Sequence, residues 1–178
     1  MMGRSSSVLS TTLAGGIQIR PLTSQDGSWL WDMLYLAIYL PPGVAPFPDS
    51  FLRQPPLAGY VQGWGREGDF GFAAMDGPAT AGAAWARQFV KSSPGYGFVD
   101  EAIPELSVAV EHAYRSRGIG SLLLTSLLEA ASKRVPGVSL SVTETNPAVR
   151  LYVRLGFEIV GRSKESLIML KRLTDPSG

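Results

Sequence analysis

The segment from Arg115 to Gly120 places two arginines and two glycines directly before the most regular helical pattern of the chain. The first amide groups of a helix have no partner within it and point outwards at the positive end of the helix dipole. Gly118 and Gly120 lack a Cβ, so an anion can approach the backbone, while Arg115 and Arg117 supply positive charge. The segment predicts a phosphate or pyrophosphate site; a tight turn before a helix is the structural alternative.

Two other phosphate-binding motifs do not match this segment. A Walker A loop ends in Gly-Lys followed by Ser or Thr, and the chain contains no such sequence. A dinucleotide-binding loop needs a third glycine at a position where this chain has Leu123. The sequence therefore argues against both of these nucleotide-binding loops.

A second candidate is Tyr152, which follows the pair Asn146-Pro147. Asn is favoured at a helix N-cap and Pro in the first turn, so this pair predicts a short helix that Gly156 ends. The apolar residues of this helix recur at helical spacing and form one stripe: Ala148, Leu151, Tyr152 and Leu155. Tyr152 therefore faces inwards, either as a core tyrosine or as a proton donor beside a ligand.

These motifs together resemble the two signatures of the GNAT superfamily of N-acetyltransferases. Arg115-Ser-Arg-Gly-Ile-Gly120 is similar to the acyl-CoA signature Arg/Gln-x-x-Gly-x-Gly/Ala. The segment from Asn146 to Phe157 contains the Asn, the Leu-Tyr pair and the Gly-Phe pair of the second signature, in the same order. The match is close from Glu105 to Phe157 and looser from Ile17 to Leu170. It implies an acyltransferase that moves an acetyl group from acetyl-CoA to a primary amine by direct attack.

The resemblance assigns roles to individual residues. Tyr152 matches the tyrosine that protonates the departing sulfur, which is chemically reasonable because a thiol has a pKa of about 8.5 and tyrosine about 10. An amide near Val108 would polarise the thioester carbonyl. Asn146 would bind the pantetheine arm in addition to capping its helix. The coenzyme would contact Val108, Ala109, Val110, Arg115, Ser116, Arg117, Gly118, Ile119, Gly120, Ser121 and Asn146.

The group that deprotonates the acceptor amine stays open in the sequence. Glu105 begins a strand where many relatives of this family carry a carboxylate that acts directly or through water, and it is the predicted base. A solvated residue at a strand start is the structural alternative. Asp100 and Glu101 lie on the preceding loop, and His112 has a suitable pKa but belongs to the turn before the phosphate loop.

The acceptor is expected over the first helix and the long loop after it. A plain core, a homodimer contact, or a pocket for a hydrophobic amine or for a cation held over ring faces would each explain the aromatic residues of this region. The sequence leaves the acceptor as a small molecule or a peptide, including a peptide N-terminus or a lysine. A non-catalytic acyl-CoA-binding or regulatory module is the alternative function, and it would need neither Tyr152 nor a base. The aromatic residues are Trp29, Trp31, Tyr35, Tyr39, Phe47, Phe51, Tyr60 and Trp64.

Strands and helices alternate along the chain, which predicts a mixed α/β (α+β) domain of GNAT type with a largely antiparallel sheet flanked by helices. Asp26 or Ser28 would cap the first helix. Leu106, Val108 and Val110 would share one face of the central strand. Strands are predicted at 17–22, 69–75, 79–90, 105–111, 138–143, 157–160 and 167–170, and helices at 29–38, at 118–135 and from 147 onwards, with a short helix near 49–53.

Length and composition limit the remaining function classes. The 178 residues favour one domain, predicted at 17–173 after a mobile leader at 1–16 and before a short tail. The chain has no cysteine and one histidine, which argues against disulfides, thiolate metal sites and multi-histidine metal sites, and we expect no metal. The net charge of +1 calls for neither nucleic acid nor membrane as a partner. We expect a cytoplasmic enzyme.

Overall fold

The computed structural model describes residues 11–13 and 15–173, which contain one eight-stranded sheet and three α-helices. The helices are α1 (Gly27–Ala37), α2 (Ile119–Ser132) and α3 (Val149–Arg154). The strands are β1 (Thr11–Thr12), β2 (Gln18–Pro21), β3 (Phe70–Asp76), β4 (Ala79–Arg87), β5 (Glu105–Val110), β6 (Gly137–Thr143), β7 (Glu158–Ser163) and β8 (Ser166–Arg172).

The sheet has the order β1-β2-β3-β4-β5-β6-β8-β7, and every neighbouring pair is antiparallel except β5 and β6. The predicted fold class is confirmed. Parallel neighbours need a crossover connection, and α2 supplies it between β5 and β6. The phosphate-loop candidate at 115–120 therefore lies between the central strand and the crossover helix.

Both faces of the sheet are covered. One hydrophobic cluster joins α2 and Tyr152 of α3 to the face that carries Leu106, Val138 and Leu140. A second cluster joins α1 and the long loop after it to the opposite face, around Trp85. Since side chains alternate along a strand, Glu105 and Ser107 project towards the α1 layer. The sequence alone was also compatible with solvated side chains at these positions.

The N-terminal boundary differs from the sequence-based expectation. Thr11 and Thr12 form a strand with Ile19 and Gln18, so part of the predicted leader belongs to the sheet. The rest of that leader at 1–10, residue 14 and the predicted tail at 174–178 lie outside the described residues.

Of the two predicted caps of α1, Asp26 occupies the N-cap position but does not cap the helix with its side chain. Helix α1 begins at Gly27, so Ser28 lies within it, and the Asp26 side chain makes no capping hydrogen bond to α1. The Asp26 carboxylate instead accepts hydrogen bonds from the backbone amide of Thr23 and from the side chains of Arg20 and Trp29. These hydrogen bonds from three residues occupy the Asp26 carboxylate, which explains why it does not accept hydrogen bonds from the amides of α1.

The loop between α1 and β3 is held by one buried ion pair. Arg87 of β4 donates to both oxygens of Asp69 at 3.0 and 2.7 Å and to the carbonyls of Gly59 and Gln62. Both charged side chains are almost inaccessible, at 1% and 4% exposure, so their mutual pairing is required to offset desolvation. Trp85 adds a hydrogen bond to the Tyr60 carbonyl. These contacts fix the 3₁₀ turn at Leu57–Tyr60 over the start of β5.

Candidate active site

The site is built around a gap between β5 and β6. The two strands are neighbours, yet they pair only at Glu105 and Ser139. Beyond this pair they diverge, and a cavity of about 280 Å³ opens between Leu106–Val108 on one strand and Leu140–Thr143 on the other. The cavity passes from the α2 layer to the α1 layer, so side chains from both layers reach it.

The backbone of β5 offers hydrogen-bonding groups to this gap. Glu111 donates its amide to the Ala81 carbonyl in β4. Because residues of a strand direct their backbone groups alternately to the two sides, Ala109 also faces β4, whereas Val108 and Val110 face the gap. Val108 and Val110 therefore direct their backbone amides at the gap, whereas Ala109 directs its amide at β4 but still lines the larger cavity described below.

A second cavity of about 450 Å³ extends from the gap towards the phosphate-loop candidate, and its lining includes Arg115 and His112. Val108, Asn146 and Tyr152 line both cavities. The two cavities therefore meet at these residues. The larger one leads to the arginine-containing loop and the smaller one leads to the aromatic loop after α1.

Two residues with positive φ angles shape the loop before α2. Ser116 and Gly118 both have positive φ angles, 63° and 76°, which turn the chain sharply into the helix. The first helical hydrogen bond runs from Leu122 to the Gly118 carbonyl, so the earlier amides of Ile119, Gly120 and Ser121 remain free of helical partners. A non-glycine residue at positive φ is uncommon, and here it forms part of a concave run of amides.

The side chains around this loop leave its outer surface open. Arg115 and Arg117 are exposed. The Arg115 Nε donates to the Val110 carbonyl at 3.1 Å, which ties the loop to β5, while Arg117 lies over the Tyr114 ring at 5.3 Å. Ile119 is buried, so only its amide can serve a ligand.

The two glycines differ in their packing. A Cβ added at Gly118 would meet nothing within 4 Å, so its positive φ is what requires glycine. A Cβ added at Gly120 would only reach ordinary contact with Val110 at 3.7 Å. The protein's own packing therefore does not demand glycine at position 120.

Tyr152 lies where the two cavities meet. Its side chain is 7% exposed and packs edge-on against Phe157, with ring centroids 5.8 Å apart. Burial raises the pKa of Tyr152 to about 12, so the phenol keeps its proton at neutral pH. The inward position predicted from the helical stripe is confirmed. The predicted N-cap role of Asn146 is wrong, because α3 begins at Val149 with Ala148 at its N-cap; Asn146 accepts from the Ala148 amide at 2.9 Å in the preceding turn and retains two side-chain donors for the cavity.

Glu105 is buried rather than solvated, with 1% exposure, and it does not line either cavity. Its Oε1 accepts from the Tyr60 hydroxyl at 2.7 Å and from the Gly97 amide at 2.7 Å. Its Oε2 has no partner among the described residues, and neither does the Oγ of the paired Ser139. Burial raises the pKa of Glu105, and the hydrogen bond from Tyr60 opposes this shift.

The competing bases lie elsewhere. Asp100 accepts a hydrogen bond from the backbone amide of Ala102, and Glu101 accepts one from that of Lys91, both within an exposed loop. His112 is exposed and lines the larger cavity, on the side of the arginines. None of these three lines the smaller cavity.

Sequence reasoning missed two tyrosines that connect Glu105 to the smaller cavity. Tyr60 lines this cavity. Its hydroxyl donates a hydrogen bond to Glu105 and accepts one from the backbone amide of Tyr96 at 2.8 Å. Burial and the Glu105 charge strongly raise the pKa of Tyr60, so it remains a donor. The sequence identified Tyr60 only as one aromatic among eight and did not identify Tyr96. No local pattern links them, since Tyr60 and Glu105 are 45 residues apart.

The aromatic residues predicted for the acceptor side divide into two groups. Tyr39, Phe51 and Tyr60 line the smaller cavity. The others make structural contacts: Trp29 donates to Asp26, Trp31 stacks on Arg53, Tyr35 donates to the carbonyl of its ring neighbour Phe47, and Trp64 donates to the Thr23 carbonyl.

Comparison with known proteins identifies the family that this fold and site define. The family model described as the acetyltransferase (GNAT) domain matches residues 69–159, just over half of the 178-residue chain. The chain belongs to the GNAT acetyltransferase family. Among curated proteins, no sequence is significantly similar to it.

Solved structures share the fold at low sequence identity. The structure of yncA from Salmonella typhimurium with its cofactor acetyl-CoA is 20% identical, covers 90% of this chain and 95% of its own, and has a TM-score of 0.62. The PaiA N-acetyltransferase from Thermoplasma acidophilum, in complex with coenzyme A, is 18% identical, with coverages of 88% and 99% and a TM-score of 0.62. A ribosomal-protein-alanine N-acetyltransferase from Brucella melitensis is 25% identical, with coverages of 87% and 99% and a TM-score of 0.60.

Two further searches of the described residues gave negative results. None of their helices is long and apolar enough to cross a membrane. They contain no group of three or more His, Cys, Asp or Glu residues that could hold a metal ion.

Proposed function

We propose that this protein transfers the acetyl group of acetyl-CoA to a primary amine by direct attack. The carrying observation is the gap between β5 and β6, which joins the amide-rich loop at 115–120 to a second cavity, with Tyr152 at the junction. The structures of related fold solved with acetyl-CoA or coenzyme A support this donor.

The donor would lie along the larger cavity. Its pyrophosphate would accept hydrogen bonds from the free amides at the start of α2, and Arg115 and Arg117 would add positive charge. Its pantetheine arm would pair with the backbone of Val108 and Val110 as an additional strand would, and Asn146 would donate to it. The Val108 amide would also polarise the thioester carbonyl.

The transfer itself needs two proton movements on opposite sides of the gap. The amine nitrogen attacks the acetyl carbonyl carbon, the carbon–sulfur bond breaks, and the sulfur takes a proton from the Tyr152 hydroxyl. A pKa of about 12 for Tyr152 exceeds that of a free thiol. The same desolvation also raises the thiol pKa at this position, which limits the difference between the two groups.

The proton lost by the amine would pass to Glu105 through Tyr60. Glu105 does not reach the cavity, but the Tyr60 hydroxyl does, and it already donates to Glu105. A hydroxyl oxygen has two lone pairs, and the Tyr96 amide uses one. The second can accept from the amine while the Tyr60 proton moves to Glu105. The strongly raised pKa of Tyr60 makes this a concerted shift without a free tyrosinate.

Calorimetry with acetyl-CoA and a thiol-release assay with a panel of amines test the proposed function. We expect Tyr152→Phe to keep acetyl-CoA binding within about threefold and to lower kcat by roughly a hundredfold, the usual size of a lost general acid. Absence of acetyl-CoA binding at millimolar concentration would refute the proposal. Binding without turnover of any amine would favour the non-catalytic acyl-CoA-binding module.

A further inference from the structure

The smaller cavity differs from the larger one in its charge. Among the described residues that line it, none carries a charged side chain, whereas Arg115 lines the larger cavity. Its walls on the α1 side are apolar and aromatic. They include Leu34, Leu57 and Phe51.

The polar side chains of this cavity are neutral: hydroxyls and the carboxamide of Asn146. Tyr60 and Tyr96 contribute phenols from the α1 side, and Ser107, Ser141 and Thr143 contribute hydroxyls from the two diverging strands. The carboxylate of Glu105 does not line the cavity, and its Oε1 accepts hydrogen bonds from the Tyr60 hydroxyl and the Gly97 amide. A hydroxyl can hydrogen-bond an amine, but it does not neutralise a second charge.

We infer that the acceptor is a small primary amine with an apolar or aromatic body and no second charged group. This inference rests on the acetyl transfer proposed above and names the substrate class of the same site. The reactive nitrogen would lie near Tyr60, and the body would lie against Leu57 and Phe51. A polyamine, a free amino acid or a lysine-rich peptide would each bring a second charge to a cavity whose described lining offers no counter-ion.

Matched pairs of amines test this inference on the unmodified protein. Hexylamine and hexamethylenediamine differ by one ammonium group, and phenethylamine and phenylalanine differ by one carboxylate. We expect kcat/KM to be at least about tenfold higher for the singly charged member of each pair. Equal or better turnover of the diamine or the amino acid would overturn the inference while leaving the acetyltransferase proposal intact.

A pair of variants locates the effect in the cavity. Phe51 and Val160 are both 43% exposed, and only Phe51 lines the cavity. A carboxylate introduced by Phe51→Asp should lower the ratio of kcat/KM for hexylamine to that for hexamethylenediamine by about fivefold. Val160→Asp should leave this ratio unchanged. An unchanged preference in folded Phe51→Asp would contradict the assignment of this cavity to the acceptor. Failure to acetylate any amine would instead refute the proposed function, and the inference would fall with it.

Discussion

The proton route through Tyr60 makes a specific prediction for Tyr60→Phe. The substitution removes one hydroxyl, and with it the 2.7 Å hydrogen bond to Glu105 and the acceptor of the Tyr96 amide. A hydrogen bond to a charged group contributes about 1.5–3 kcal/mol. For a domain of this size, each kcal/mol corresponds to roughly 2–4 °C in Tm, so we expect a decrease of about 3–12 °C with the fold retained.

The pH profile of kcat/KM separates a proton route from a merely structural role. The Tyr60 hydrogen bond lowers the pKa of Glu105 against the effect of burial. Its loss raises that pKa further. Because Glu105 must be ionised to accept a proton, the acidic limb of the profile should move to higher pH. We also expect kcat to fall by roughly a hundredfold, as for other lost proton-transfer groups.

Tyr35→Phe provides the matched control. The Tyr35 hydroxyl donates to the Phe47 carbonyl at 3.0 Å, so the same atom and one hydrogen bond are lost away from Glu105 and the smaller cavity, while the ring that lines the larger cavity is kept. We expect it to lower Tm without moving the acidic limb. If Tyr60→Phe folds, keeps kcat within about threefold of the unmodified protein and leaves the limb in place, the route through Tyr60 is wrong, and water at Oε2 of Glu105 becomes the stronger explanation.

Three further predictions concern the loop and the buried polar residues. Gly118→Ala should cost about 1 kcal/mol of stability, since its φ is 76°, whereas Gly120→Ala should leave Tm unchanged and weaken acetyl-CoA binding in calorimetry. Arg87→Met, which leaves Asp69 buried without a cation, should lower the free energy of unfolding by about 3–5 kcal/mol in urea titration. Ser139→Ala should match or exceed the natural protein in Tm, because its Oγ has no partner among the described residues; a clear loss would reveal a bound water.

Local signals determined much of the fold and the donor half of the site. The phosphate-loop candidate lies within six consecutive residues, and its geometry follows from a strand, two glycines and a helix start. The inward position of Tyr152 follows from helical spacing over eight residues, from Ala148 to Leu155. The alternation of apolar and polar residues predicted the first and last residues of the strands to within a few positions. These features depend on neighbours along the chain, so the sequence alone was sufficient to predict them.

Tertiary structure decided the acceptor half. Glu105 was expected at an accessible strand start, but Tyr60 and Gly97 bury it from a distant loop and a nearby one. The choice of β4 as a neighbour turns the backbone of Ala109 away from the gap, although Ala109 still lines the larger cavity. The uncharged cavity combines residues from α1, three loops, β5, β6, α3 and β8. Such contacts depend on how separate elements pack, and no spacing along the chain encodes them.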